Sequence, residues 1–166
     1  VIMNWVYIVT FWPIIAVAGF TIFVKDRSRY FYYRNVLLIT FAVALSIFTI
    51  FPLAPLRLVP DMPNFVDTIQ FYGPAAYASR EMAWFYNAYA AMPSLHFAWT
   101  IVFGLMFFRS RGSSALKVAG VAYPTATFFA ITFTGNHYIL DAVGGGVVAL
   151  SSFLIYWGML RWQRKH

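Results

Sequence analysis

Two histidines and one aspartate stand out from an otherwise apolar chain. His137 and Asp141 lie in Thr134-Gly135-Asn136-His137-Tyr138-Ile139-Leu140-Asp141, which opens a segment that runs on, largely apolar, to Leu160; His96 ends the stretch Met92-Pro93-Ser94-Leu95-His96. If the first stretch is helical, His137 and Asp141 sit one turn apart on one face. Asp141 then leans back toward the imidazole, because helical side chains tilt toward the N-terminus. A carboxylate so placed fixes the tautomer of the ring and leaves its other nitrogen as a base or nucleophile. The blander alternative is that the pair satisfy each other inside a helix bundle, although ionisable groups in a membrane span are functional candidates by default. A third partner is needed to decide.

The elements that must position these residues follow from composition. With 61% hydrophobic and only 10% charged residues, 166 residues do not make a soluble domain around one core. A spanning helix takes about 20 apolar residues, so there is room for about five. The apolar stretches are helical in length, unlike the short alternating strands of a barrel. The expected fold is an all-α polytopic transmembrane bundle, a single domain over 1–166. The chain begins inside an apolar run with no basic leader, so a sixth helix is expected upstream of Val1.

In order, the expected spans are about Val1 to Val24, with Pro13 as a possible kink, then Val36 to Phe51, His96 to Phe108, Val118 to Phe133 and Tyr138 to Leu160. Between the second and third lies a long loop with six prolines from Pro52 to Pro93. Loops of this length are uncommon unless functional. Within it, Asn64 can cap a short helix with Phe65, Ile69 and Tyr72 on one side, and 75–86 can form another that carries Arg80 and Glu81. Both would lie on the membrane surface. Gly144, Gly145 and Gly146 suit close helix packing, or the approach of a lipid to the site.

The net charge of +7 does not point to nucleic acid, because no basic face or aromatic-basic interleaving appears. Segments 25–35, 109–117 and 161–166 hold four, three and three basic residues, ten of the twelve, and fall on one side of the expected bundle. Arg57 and Arg80 are opposite. By the positive-inside tendency the basic side is cytoplasmic. The long loop, His96, His137 and Asp141 are then expected at the extracytoplasmic face of a plasma or inner membrane. Span arithmetic thus brings two histidines 41 residues apart to one depth and one side. With no cysteine, disulfides and thiolate metal sites are excluded.

Pro-Ser-Leu-His at one span entrance and His-x-x-x-Asp at another on the same side resemble the type 2 phosphatidic acid phosphatase superfamily. That family pairs Pro-Ser-Gly-His with a later motif ending in His-x-x-x-Asp on a six-helix membrane bundle. Leu95 and Tyr138 look closer to its inositol phosphorylceramide synthase branch and bacterial relatives. The resemblance implies that His137 attacks phosphorus and becomes a phosphohistidine, that Asp141 orients it, and that His96 protonates the leaving oxygen. Neither a metal nor any other cofactor is implied.

The chain departs from the family where phosphate is held. The phosphatases use Lys-x6-Arg-Pro before the first histidine and Ser-Arg before the second, and here the latter positions are Ala130 and Ile131. Arg27-x6-Arg34-Asn35 fits the first spacing but falls at the cytoplasmic end of its span. Arg57 is on the right side and is the candidate phosphate clamp, since a guanidinium matches phosphate oxygens bidentately; Arg80 is a second choice. Ser94 and Asn136 could donate to phosphoryl oxygen or could cap helices. Fewer cationic ligands favour a singly charged phosphodiester over a dianionic monoester, and argue against the superfamily's vanadium haloperoxidases.

The expected function is therefore a lipid phosphotransferase, or a lipid phosphatase if water is the acceptor, whose partners are a lipid phosphate substrate and the bilayer. The alternative is a non-catalytic membrane subunit of a larger complex that keeps this fold. A transporter fits less well, because the ionisable residues lie at span ends and not at midplane.

Overall fold

The computed structural model describes residues 1–59, 66–73, 89–110 and 113–166, and the statements below concern these. Asp61, Asn64 and the expected helix over 75–86, with Arg80 and Glu81, lie outside them.

The fold is an all-α polytopic bundle. Helices α1 (Ile2–Val9) and α2 (Phe11–Lys25) share the first apolar run but are bent by 41° at Thr10. Pro13 explains the break: it has no N–H to offer Val9, and its ring would clash with that carbonyl in a continuous helix. Helix α3 (Arg27–Ile50) starts nine residues before the expected span, because Asp26 accepts from the Arg29 N–H at 2.9 Å and caps it. The basic cluster 27–34 is therefore helical. A single 3-10 turn follows at Leu56–Leu58, and then α4 (Thr68–Tyr72). Its cap is Asp67, whose Oδ1 accepts from the Ile69 and Gln70 N–H groups; Ile69 is buried while Tyr72 is exposed.

Helices α5 (Leu95–Phe108), α6 (Ser114–Phe133) and α7 (Ile139–Gln163) complete the described chain. Three helices, α3, α6 and α7, are long and apolar enough to cross a membrane, and the bent α1–α2 pair makes a fourth, consistent with an integral membrane protein. The expected third span is the exception: at 14 residues, α5 is only about 21 Å long. It packs against α3, α6 and α7, so neighbouring helices, rather than lipid alone, surround it.

Lipid tails are as apolar as leucine, so close backbone approach, more than the hydrophobic effect, holds such helices together. A Cβ on Gly104 would stand 2.6 Å from the Gly120 carbonyl oxygen, and one on Gly120 the same distance from that of Gly104. These two glycines bring α5 and α6 together. Tyr33, Val36, Ala98, Val102, Phe103, Met106 and Ala149 form the core. Buried hydroxyls answer to their own helices, Thr40 to the Val36 carbonyl and Ser152 to that of Val148. The outside is greasy: Leu140 and Leu154 are each 69% exposed, as lipid-facing residues are.

The bundle has two unlike ends. At one, Arg29 donates to the Met106 carbonyl, Asn35 to the Tyr156 hydroxyl, and Arg161 covers the Trp157 ring. Apolar grooves of about 420 and 540 Å³ flank α2 toward this end, with Arg34 in one and Lys25 and Arg29 in the other. At the opposite end, Ser94, Gly135, His137 and Asp141 meet.

Since the chain has no cysteine, sidedness can be read by single introductions. In intact cells, Leu58→Cys is expected to react with a membrane-impermeant maleimide and Arg164→Cys only after lysis. The reverse pattern would overturn the orientation expected from the basic residues.

Candidate active site

The site is assembled by backbone before any side chain acts. The Leu53 N–H donates to the Tyr89 carbonyl at 2.8 Å, and the Ala91 N–H donates to the Leu53 carbonyl at 3.0 Å, an isolated parallel bridge that fixes 89–91. The Ser94 N–H donates to the Asp141 carbonyl at 2.9 Å, tying the start of α5 to the first turn of α7. A Cβ on Gly145 would stand 2.4 Å from the Ser94 carbonyl oxygen, so this crossing requires glycine. Of the two uses expected for the glycine triplet, close helix packing is the one seen at Gly145.

The turn between α6 and α7 is equally determined. Gly135 has φ 66°, a conformation that favours glycine at the end of a helix, and its N–H donates to the Thr132 carbonyl at 3.1 Å. The Thr134 hydroxyl donates to the Ala130 carbonyl and accepts from Asn136 Nδ2 at 2.7 Å. His137 then donates its backbone N–H to the Ile131 carbonyl at 3.0 Å. All of Thr134, Asn136 and His137 are buried.

His137 lies outside the helix, which corrects the expected geometry of the pair. Tyr138 is the N-cap of α7, and Asp141, at the third helical position, turns back so that Oδ2 accepts the Tyr138 N–H at 2.8 Å. The same oxygen lies 3.5 Å from His137 Nδ1. The two residues meet because a cap folds the carboxylate over the helix start. Nearer to Nδ1 is the Ala91 carbonyl oxygen, at 2.8 Å. A carbonyl can only accept, so Nδ1 carries a proton and donates it, and in a neutral ring the lone pair is then on Nε2. Asp141 Oδ1 is buried with no hydrogen-bond partner among the described residues.

His96 is the second residue of α5, at the same end of the bundle as His137. Its ring stacks on Phe11 with centroids 3.8 Å apart and on Tyr7 at 4.6 Å. Stacking engages the faces of the ring and not its nitrogen-bearing edge. Arg57 reaches the site through its backbone, whose N–H donates to the Gly135 carbonyl at 3.0 Å, while Nη1 lies 3.7 Å from Asp67 Oδ2. Ser94 is fully buried and caps α5 by accepting from the Phe97 N–H. Ala130 and Ile131 are fully buried and bring no charge. Arg27 and Arg34 lie along α3 at the other end, over the rings of Phe23 and Phe31. Arg80 lies outside the described residues.

Thus His137, Asp141 and the backbones of Ser94 and Arg57 converge on one turn. A model of the PAP2 superfamily matches residues 1–155. The chain belongs to the PAP2 superfamily. No curated protein and no solved structure matches it. Membership supports chemistry of the phosphatase or phosphotransferase type. Within this PAP2 chain, sequence reasoning missed Ala91, Asp67 and the aromatic pair Tyr7 and Phe11. It also missed Asn4, buried in α1 and bonded both ways to Thr68. A lone amide in an apolar run was the available signal for Asn4; a backbone carbonyl leaves none for Ala91.

Asp141→Asn keeps an oxygen for the Tyr138 N–H and loses the charge beside His137. Its unfolding temperature in detergent should stay within a few degrees of the wild type while phosphoryl turnover falls about 100-fold. Equal losses in both would reduce Asp141 to a helix cap.

Proposed function

We propose that this protein is a lipid phosphoryl-transfer enzyme that works through a phosphohistidine at the extracytoplasmic face. The observation that carries the reading is the Nδ1 contact of His137 with the Ala91 carbonyl. It supports the tautomer that presents Nε2 as the nucleophile, with Asp141 close enough to stabilise the positive charge that develops on the ring.

In the first step Nε2 attacks phosphorus, the bond from phosphorus to the leaving lipid oxygen breaks, and that oxygen takes a proton from His96. In the second, an acceptor hydroxyl gives its proton to His96, its oxygen bonds phosphorus and the P–N bond breaks. With a lipid or headgroup alcohol as acceptor the enzyme is a phosphotransferase; with water it is a phosphatase. The inositol phosphorylceramide synthase branch is the finer reading, motivated by Leu95 and Tyr138. Arg57 is the proposed phosphate clamp, with Arg80 as a second cation. The remaining hydrogens of the Ser94 hydroxyl and the Asn136 amide are donors to phosphoryl oxygen. The N-termini of α5 and α7 add their partial positive charge at the same place. The whole of 1–166 acts as one domain in this account.

Purified protein incubated with phosphorus-labelled lipid and quenched in alkali should retain label, and His137→Ala should retain none. His96→Ala should slow label formation about 10²-fold or more without abolishing it. A wild type that binds lipid yet never carries label would sink the covalent mechanism and favour a structural subunit.

A further inference from the structure

The geometry points to Asp67 as the residue that sets which phosphate charge state this site accepts, favouring the monoanionic phosphodiester over the dianionic monoester. The inference rests on the reading of Arg57 as the phosphate clamp and adds to it a built-in counter-charge.

Both partners are held in place. Arg57 is fixed by its backbone N–H on the Gly135 carbonyl, two residues from His137. Asp67 is fixed because Oδ1 caps α4 through two N–H groups, at 3.0 and 3.1 Å, which leaves Oδ2 to face Arg57 Nη1 at 3.7 Å. Their side chains are only 12% and 14% exposed, so water screens the pair far less than it would at a surface. Helix α4 is tied in turn to α1, since Asn4 Nδ2 donates to the Thr68 carbonyl at 2.6 Å and the Thr68 hydroxyl donates to Asn4 Oδ1 at 2.9 Å. The counter-charge therefore does not swing away freely when a ligand arrives.

A planar guanidinium with Nη1 toward Asp67 keeps its other edge, Nε and Nη2, for an anion. Nε is buried and has no acceptor among the described residues, an orphan donor that a phosphoryl oxygen would satisfy. The cation that meets the phosphate thus already faces a carboxylate. One negative charge is still well matched there. A second would meet the Asp67 and Asp141 carboxylates, and Ala130 and Ile131, which stand where the superfamily's phosphatases place a serine and an arginine, bring no charge against it.

The variant to test is Asp67→Asn, which keeps an oxygen for the α4 cap and removes the charge; Asp67→Ser, also a good cap, is the second. Full-length protein is assayed in mixed micelles with dioleoyl phosphatidic acid as monoester probe and dioleoyl phosphatidylglycerol as diester probe, by kcat/KM and by Kd. Both variants should raise the monoester-to-diester ratio about tenfold, whereas general damage to the fold would lower both values together. An unchanged ratio, with Arg57→Ala impairing both lipids, would overturn the role of Asp67 and leave the clamp standing. If Arg57→Ala impairs neither lipid, the clamp itself fails, and this inference with it.

Discussion

One imidazole nitrogen organises the site. Nδ1 of His137 has a carbonyl oxygen at 2.8 Å and a carboxylate oxygen at 3.5 Å. Each comes from an element that must be in register for the contact to exist. The carbonyl belongs to Ala91, which Leu53 holds by backbone hydrogen bonds. The carboxylate belongs to Asp141, which stands there because it caps α7. Moving the Ala91 segment by one residue would remove the acceptor and release the ring to its other tautomer, and moving the Asp141 segment would take away the carboxylate. The close crossings at Gly145 and at Gly104 and Gly120 are what let α5 lie near enough to α6 and α7 for that register to hold.

This arrangement separates two tasks that a single carboxylate performs in simpler dyads. The Ala91 carbonyl accepts the hydrogen bond from Nδ1 and so defines the tautomer, without a charge that would need its own partner. In the proposed mechanism Asp141 is left to answer the charge that forms on the ring during attack, with Oδ1 uncommitted among the described residues. The stacking of His96 on Tyr7 and Phe11 sets the plane of the second imidazole. Because Tyr7 and Phe11 flank the break at Thr10, the Pro13 kink helps to aim them at His96.

The broad architecture was legible in the sequence because the bilayer imposes it: apolar length, proline breaks and the uneven spread of basic residues give an all-α bundle with two unlike ends. His137 and Asp141 were recognisable as neighbours, although for another reason than the one found, since i, i+4 spacing serves a helix face and a capping carboxylate alike. Boundaries were less legible where a side-chain cap extended a helix past its apolar run, as Asp26 does for α3. The shortness of α5 was legible from residue count, but not that its neighbours would enclose it. Arg57 could be assigned to an end of the bundle, yet its bond to Gly135 and its pairing with Asp67 depend on loop register that no periodicity encodes. Ala91 was invisible, because what acts is a peptide oxygen.

The claim on which the account turns is that His137 holds a free lone pair on Nε2. Nitrogen-15 spectra of protein labelled at histidine, with the His137 signals assigned by their loss in His137→Gln, address it directly at neutral pH. The account predicts a one-bond proton coupling on Nδ1 and the shift of an unprotonated nitrogen on Nε2. A proton found on Nε2, with Nδ1 bare, would contradict it.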